Sequence, residues 1–250
     1  MVEMTAATPT DAVMLFRPRL RYSSTGESQF DAMITWRADL ELGYLDEDGD
    51  EGDTTDVVGG HAEFLIVNVG QHPIADLLDS LSQDTAHFAG LFEGEDVTLA
   101  VQEQFDDVPF NRVLIVTMVE VAEPLRGNGL GPWIVAELVE RMASPLDTLV
   151  LLHPAPAGPQ PSKAAEVAAA RALSRYWQQF GLAPIKDQPE FLGAATAYAH
   201  LSRARDALRA LEAVVFPVPG SLIGVERPAA PRHTLVSDVP EPVGLRLVRN

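Results

Sequence analysis

Apolar and polar positions along the chain change period several times, and each change marks an element. "FDAMITWRADLEL" (30–42) alternates imperfectly and is rich in β-formers, which predicts a strand. "VVGGHAEFLIVNV" (57–69) predicts a second strand, so the acidic, glycine-bearing stretch 46–56 reads as the tip of a hairpin. Helical spacing follows in "PIADLLDSLS" (73–82), with a short second helix at "DTAHFAGLF" (84–92). "DVTLAVQEQF" (96–105) fits strand or helix. "NRVLIVTMVEVAEP" (111–124) is a nearly continuous apolar run, as expected of a strand buried on both faces. A helix over 131–143, a buried strand at 147–154 and a strong helix at 164–180, stopped by Gly181, come next. "LAPIKD" and "EFLGAATAY" read as short final strands, and 202–215 as a last helix capped by Ser202. Residues 1–12 read as a loose leader. Beyond 216 prolines dominate, which predicts an extended tail with an edge strand at "GLRLVRN". Strands and helices mix throughout, so the fold class is α/β or α+β around a substantial sheet.

Composition narrows the choice. The 250 residues suit one large domain, or one with a small appendage, and 46% hydrophobic content supports a sizeable core. There is no cysteine, which excludes disulfides, thiolate zinc sites and a cysteine nucleophile. The start of the chain has no basic segment followed by an apolar one, so no signal peptide is expected. No apolar run approaches the roughly 20 residues of a membrane span, and the expected location is cytoplasmic. The net charge is −18, from 36 acidic and 18 basic residues. That opposes a nucleic-acid surface and suits a cationic substrate, although solubility alone explains it.

The stretch "EPLRGNGLGPWIVAELVERM" (123–142) carries the chemistry. Gly127, Gly129 and Gly131 fall just after the apolar run and just before an amphipathic helix. A dinucleotide fingerprint starting at Gly127 needs glycine at 132, where Pro132 stands, and a P-loop needs a lysine that is absent here. What fits is R-x-x-G-x-G, formed by Arg126, Gly129 and Gly131. The first turn of a helix has unpaired N–H groups and partial positive charge, so it holds a pyrophosphate well. Glycines let backbone approach it, and Pro132 lies where a helix needs no N–H. A plain strand-to-helix turn needs one glycine rather than three.

In this loop, and in the strand and helix after it, the chain resembles the GCN5-related N-acetyltransferases. "TMVEVAEPLRGNGLG" matches the strand and loop of that family, with Pro124 one residue later than usual. "LVLLHPAPAG" and then "ALSRYWQQFGL" match the next strand and the tail motif, with Leu182 in place of a phenylalanine. The resemblance covers residues 57–200 loosely and 112–182 well. It implies a mixed, mainly antiparallel twisted sheet flanked by helices, an acetyltransferase-like domain over 13–201, and a C-terminal helix and proline-rich tail over 202–250. It also implies acetyl-CoA as cosubstrate and direct attack by an amine in a ternary complex. Val119 and Val121 would offer backbone to pantetheine and polarise the carbonyl. Arg126, Gly127, Asn128, Gly129, Leu130 and Gly131 would hold the pyrophosphate, and Trp177 would pack on the cofactor.

An amine of pKa about 10 must lose a proton before it attacks, so a general base is required. Glu120, an acid inside an apolar strand, is the first candidate, ahead of Glu123. The tail motif puts Trp177 where the family often has a tyrosine acid. Tyr176 is one residue earlier and about 100° round the helix, so either Tyr176 donates to the thiolate or it packs as surface or core. The acceptor is a small-molecule or protein amine, and a cationic one suits the charge. Many relatives are dimers, and the final strands or tail offer a surface for a homodimer. A degenerate CoA-binding or non-catalytic interaction protein of the same fold is the alternative, and a cation- or partner-binding protein using the acidic stretch is a third. "DEDGDEGDTTDV" spaces its acids like a calcium loop but has Glu51 and Val57 where such loops need glycine and glutamate, so no metal site is expected. His153 ends a core strand, where structural and active-site roles are both open. Trp36 and Trp133 are expected in the core.

Overall fold

The computed structural model describes residues 15–25, 32–45, 57–105, 108–156 and 158–213. The expectations for residues 1–12, the acidic stretch 46–56 and the tail beyond 216 lie outside the described residues.

β1 (Leu15–Ser24), β2 (Met33–Leu45) and β3 (Val57–Asn68) form an antiparallel meander. Next come α1 (Ile74–Leu81), α2 (Gln83–Ala86), the small hairpin of β4 (Phe92–Glu93) and β5 (Asp96–Val97), and α3 (Leu99–Gln104). β6 (Arg112–Val121), α4 (Leu130–Met142) and β7 (Thr148–Leu152) form a strand–helix–strand unit. α5 (Lys163–Gln178), β8 (Ala183–Ile185), β9 (Gln188–Ala195) and α6 (Ala199–Leu208) follow. The seven-stranded sheet runs β1-β2-β3-β6-β7-β9-β8, and among the described strands only β6 and β7 pair in parallel. The fold is thus mixed α/β with a mainly antiparallel sheet flanked by helices. No helix among the described residues is long and apolar enough to cross a membrane.

Alternation assigns each strand residue to a face. Ala38, Leu40, Phe64, Leu114, Val116 and Val150 meet Trp133, Ile134 and Leu138 of α4 and Trp177 of α5 on one side. Leu65, Val67, Val113, Ile115 and Leu151 meet Leu78 of α1, Phe88 and Val101 of α3 on the other. Trp133 is buried as expected and Trp36 is half-buried against the first core. The ambiguous stretch 96–105 resolves into a two-residue strand and a helix, because Val101 alone of the helix turns into the core.

Two elements depart from the pattern. β1 is a full strand although its apolar signal is interrupted by Pro18, Arg19 and Arg21; the two arginines face Glu41 of β2, while Leu20 and Tyr22 pack on the core. The last helix begins at Ala199 with Tyr198 at its N-cap, so Ser202 is not the cap. The Tyr198 N–H already closes a turn onto Ala195 O, and Leu208 locks the far end into the core. The helix therefore runs through residues 201 and 202 without a break.

β3 and β6 come unusually close at Gly60. A Cβ there would lie 2.3 Å from Glu120 O and 3.0 Å from Val121 Cα. Backbone cannot yield as a flexible side chain does. Gly60→Ala is expected to cost about 1–3 kcal/mol by overpacking. A urea-unfolding midpoint unchanged from the native chain would contradict that close approach.

Candidate functional site

The site grows from an imbalance in how β6 is held. β3 pairs with β6 along its whole length, from Asn68↔Arg112 to Gly60↔Val121. β7 pairs only with the first half, from Arg112↔Thr148 to Val116↔Leu152. The parting coincides with a bulge. Glu63 stands opposite Met118 and Phe64 opposite Val116, which leaves Thr117 without a partner on β3. The Thr117 hydroxyl donates to Glu63 O at 3.0 Å and fixes the extra residue in place. A bulge bends and twists its strand, so residues 117–121 leave β7 and keep an edge that β7 does not cover.

At the end of β6 the chain turns sharply into α4. Leu125, 1% exposed, anchors the turn beneath Gly59. Arg126 Nε donates to Val121 O at 2.9 Å, and Asn128 Nδ2 donates to Leu125 O at 3.0 Å. Gly127 and Gly129 have φ of 82° and 76°, left-handed values that favour glycine. Gly129 is the N-cap of α4, and no side chain caps the helix there. The first-turn N–H groups at Leu130 and Gly131 are thus presented by bare backbone. Arg126, Gly127 and Asn128 are exposed.

The structure brings three of the expected residues together. A Cβ on Gly131 would lie 3.9 Å from Val119 Cγ1 and 4.0 Å from Trp177 Cη2. Glycine at 131 therefore keeps open the space between β6, α4 and the end of α5. Behind it a small apolar cleft is lined by Pro132, Val135, Val150, Trp177, Leu208 and Arg205 among others. α6 forms one wall. Arg205 Nη1 pairs with Glu140 Oε2 at 2.5 Å, and beyond the helix Leu211 lies 3.3 Å from where a Cβ on Gly129 would be.

Glu120 and Tyr176 are placed differently. Val119 and Val121 pack on the α4 side, so Glu120 between them points to the opposite face, where it is exposed. Tyr176 sits on α5, its ring centroid 5.3 Å from Phe180 and 5.6 Å from Trp177. Burial raises its pKa, so the phenol keeps its proton. Glu120 thus lies on the face of the sheet opposite to α5, which carries Tyr176.

Sequence reasoning passed over the face that Glu120 shares. Arg37, Asp39 and Glu41 are all buried there, at 3%, 3% and 1% exposure. Arg37 Nε donates to Asp39 Oδ1 at 2.8 Å and Nη1 to Glu63 Oε1 at 3.3 Å, while Arg19 and Arg21 reach Glu41 at 3.5 and 3.0 Å. The signal was present in the strict alternation of "WRADLEL" and "HAEF". At the end of β7, His153 stacks on His87 at 5.7 Å and packs on Phe191 at 5.1 Å. No group of ionisable residues able to hold a metal occurs among the described residues.

Comparison with protein-family models, with curated proteins and with solved structures found no match to the chain.

Two histidines near the parting strands are held uncharged. Burial lowers the pKa of His153, helped by His87, and burial lowers that of His61, helped by Arg37. Below about pH 6.5 the unfolded chain thus binds protons that the folded chain refuses. Stability is expected to fall as pH drops from about 6.5 toward the lowered folded values. Urea midpoints at pH 7 and pH 5 should differ more for the native chain than for His61→Gln/His153→Phe. An identical pH dependence in both would contradict the burial of the neutral rings.

Proposed function

We propose that the protein transfers an acetyl group from acetyl-CoA to an amine, in the manner of the GCN5-related N-acetyltransferases. One observation carries the reading: β6 and β7 pair in parallel as far as Val116 and Leu152, then part, and the uncovered half of β6 leads directly into the glycine turn at the start of α4. A parted parallel pair offers extended backbone to a chain of amides, and a bare helix start offers donors and partial positive charge to a pyrophosphate. Pantetheine followed by pyrophosphate has those two parts in that order.

The residues fit such a ligand. Nothing lies within 4 Å of where a Cβ on Gly127 would be, so the turn is open there, while the Leu211 side chain stands beside Gly129. Gly131 leaves room beside Val119 and Trp177. Acetyl-CoA supplies an acetyl carbonyl activated as a thioester. Backbone N–H groups near Val119 and Val121 are the donors that polarise it. Glu120, exposed at the parting, supplies negative charge for an ammonium, and the protonated Tyr176 phenol is the side-chain donor for the departing sulfur. The net charge of −18 favours a cationic acceptor, small molecule or protein. We further propose a cytoplasmic location and a homodimer formed through the final strands or the tail.

Thermal unfolding with acetyl-CoA, and with CoA, NAD and ATP as controls, tests the cofactor site. A ligand at 100 times its Kd stabilises by about 2.7 kcal/mol. The expected result is a raised midpoint with acetyl-CoA that is lost in Gly131→Leu, which keeps helical backbone and fills the space between Val119 and Trp177. No shift at millimolar acetyl-CoA, or an equal shift in the variant, would contradict the site. A shift without thiol release on any amine would favour a CoA-binding protein that does no transfer.

A further inference from the structure

One row of ionisable side chains crosses four strands in register: Arg21 of β1 opposite Asp39 of β2, Asp39 opposite His61 of β3, and His61 opposite Glu120 of β6. Directly opposed residues of an antiparallel pair share a face, with Cβ atoms about 4.5–5.5 Å apart. His61 therefore stands beside Glu120, the exposed member at the parting of β6 and β7. Glu63 is a further carboxylate near the ring, its Oε1 4.0 Å from His61 Nε2. But that same oxygen takes Arg37 Nη1 at 3.3 Å, and Arg37 Nε holds Asp39 at 2.8 Å. Both these carboxylates, which would keep the imidazole charged, are thus shared with the Arg37 guanidinium.

We propose that His61 is the general base of the transfer, and that Glu120 holds the acceptor ammonium beside it. This rests on the acetyl-transfer reading and names the base within it. An N–H bond of the ammonium breaks, its electron pair stays on nitrogen, and the proton bonds to the free lone pair of His61. The amine lone pair forms the C–N bond at the acetyl carbonyl, and the C–S bond breaks with its pair on sulfur. The Tyr176 phenol gives its proton to the thiolate and regains one from the surplus proton on the new amide nitrogen, which keeps its other hydrogen, and His61 returns its own to water.

The surroundings of His61 suit that task. Burial and Arg37 oppose its charged form, while Glu63, Glu120 and Asp39 favour it. The balance leaves its pKa lowered, so the ring is an open proton acceptor at neutral pH. Imidazole is by nature about two pK units more basic than a carboxylate. The exposed Glu120 serves better as the fixed charge that draws the ammonium in.

The test compares two acceptors by thiol release from acetyl-CoA. Ethylamine is protonated at neutral pH, and trifluoroethylamine is largely free base there. In His61→Gln, kcat/KM for ethylamine should fall by roughly 10²–10⁴-fold, and the acid limb of its pH profile should disappear. Trifluoroethylamine, which needs no deprotonation, should lose less than about tenfold. Glu120→Gln, at an exposed position, should raise KM for ethylamine and leave the limb in place. Equal losses for both amines in His61→Gln, or an acid limb that vanishes in Glu120→Gln instead, would overturn the assignment. No thiol release by the native chain with either amine would overturn it together with the acetyl-transfer reading, and the acetyl-CoA effect on the unfolding midpoint tells the two failures apart.

Discussion

Strand β6 is gripped along its full length on one side and along half of it on the other. The site depends on that asymmetry. A sheet strand buried on both faces normally satisfies its backbone on both edges. Here the Thr117 bulge, pinned to Glu63 O, turns the second half away from β7 and leaves its edge without that partner. The same turn delivers the chain to Gly127 and Gly129, whose left-handed backbone starts α4 with Gly131 beside Val119 of β6. A straight β6 would close the edge and carry the loop elsewhere.

The two faces of the sheet divide the work. On one side, apolar positions of β2, β3, β6 and β7 pack under α4 and α5, and the small residue at 59 lets Leu125 seat close to the sheet. On the other, α1 to α3 cover one end, and the other end is a layer of ion pairs around Arg37 and Glu41. Buried ions are expensive unless each is paired, and breaking such a pair strands a charge. The layer therefore fixes Arg37, Asp39 and Glu63 rigidly, and through them the surroundings of His61.

Much of the fold was legible because its strongest signals are local. The continuous apolar run of β6, the glycines after it, and the helices over 130–142 and 163–178 can each be read from a short window. β1 was not, because Pro18, Arg19 and Arg21 conceal an alternation whose polar half is satisfied by Glu41, a residue that belongs to another strand. The start of α6 was misplaced because Ser202 is a good cap in isolation, while the turn from Ala195 to Tyr198 starts the helix earlier. The glycine turn between β6 and α4 could be read from the sequence, but the row from Arg21 to Glu120 could not. Register decides who faces whom, and here two shifts set it, one between Leu40 and Glu41 and one at Thr117. Each moves one strand by a residue against its neighbour, and no window of sequence shows that.

The most direct measurement is an amide-resolved NMR titration of the chain with acetyl-CoA. Ligand held by bare backbone should move the N–H signals of Gly127, Asn128, Gly129, Leu130 and Gly131, together with those of Val119 and Val121 on the uncovered half of β6. The amides of Leu114 and Ile115, where β6 is still paired on both sides, should stay in place. Saturable shifts confined to other surfaces, or none at all, would contradict a cofactor site built on the parting of β6 and β7.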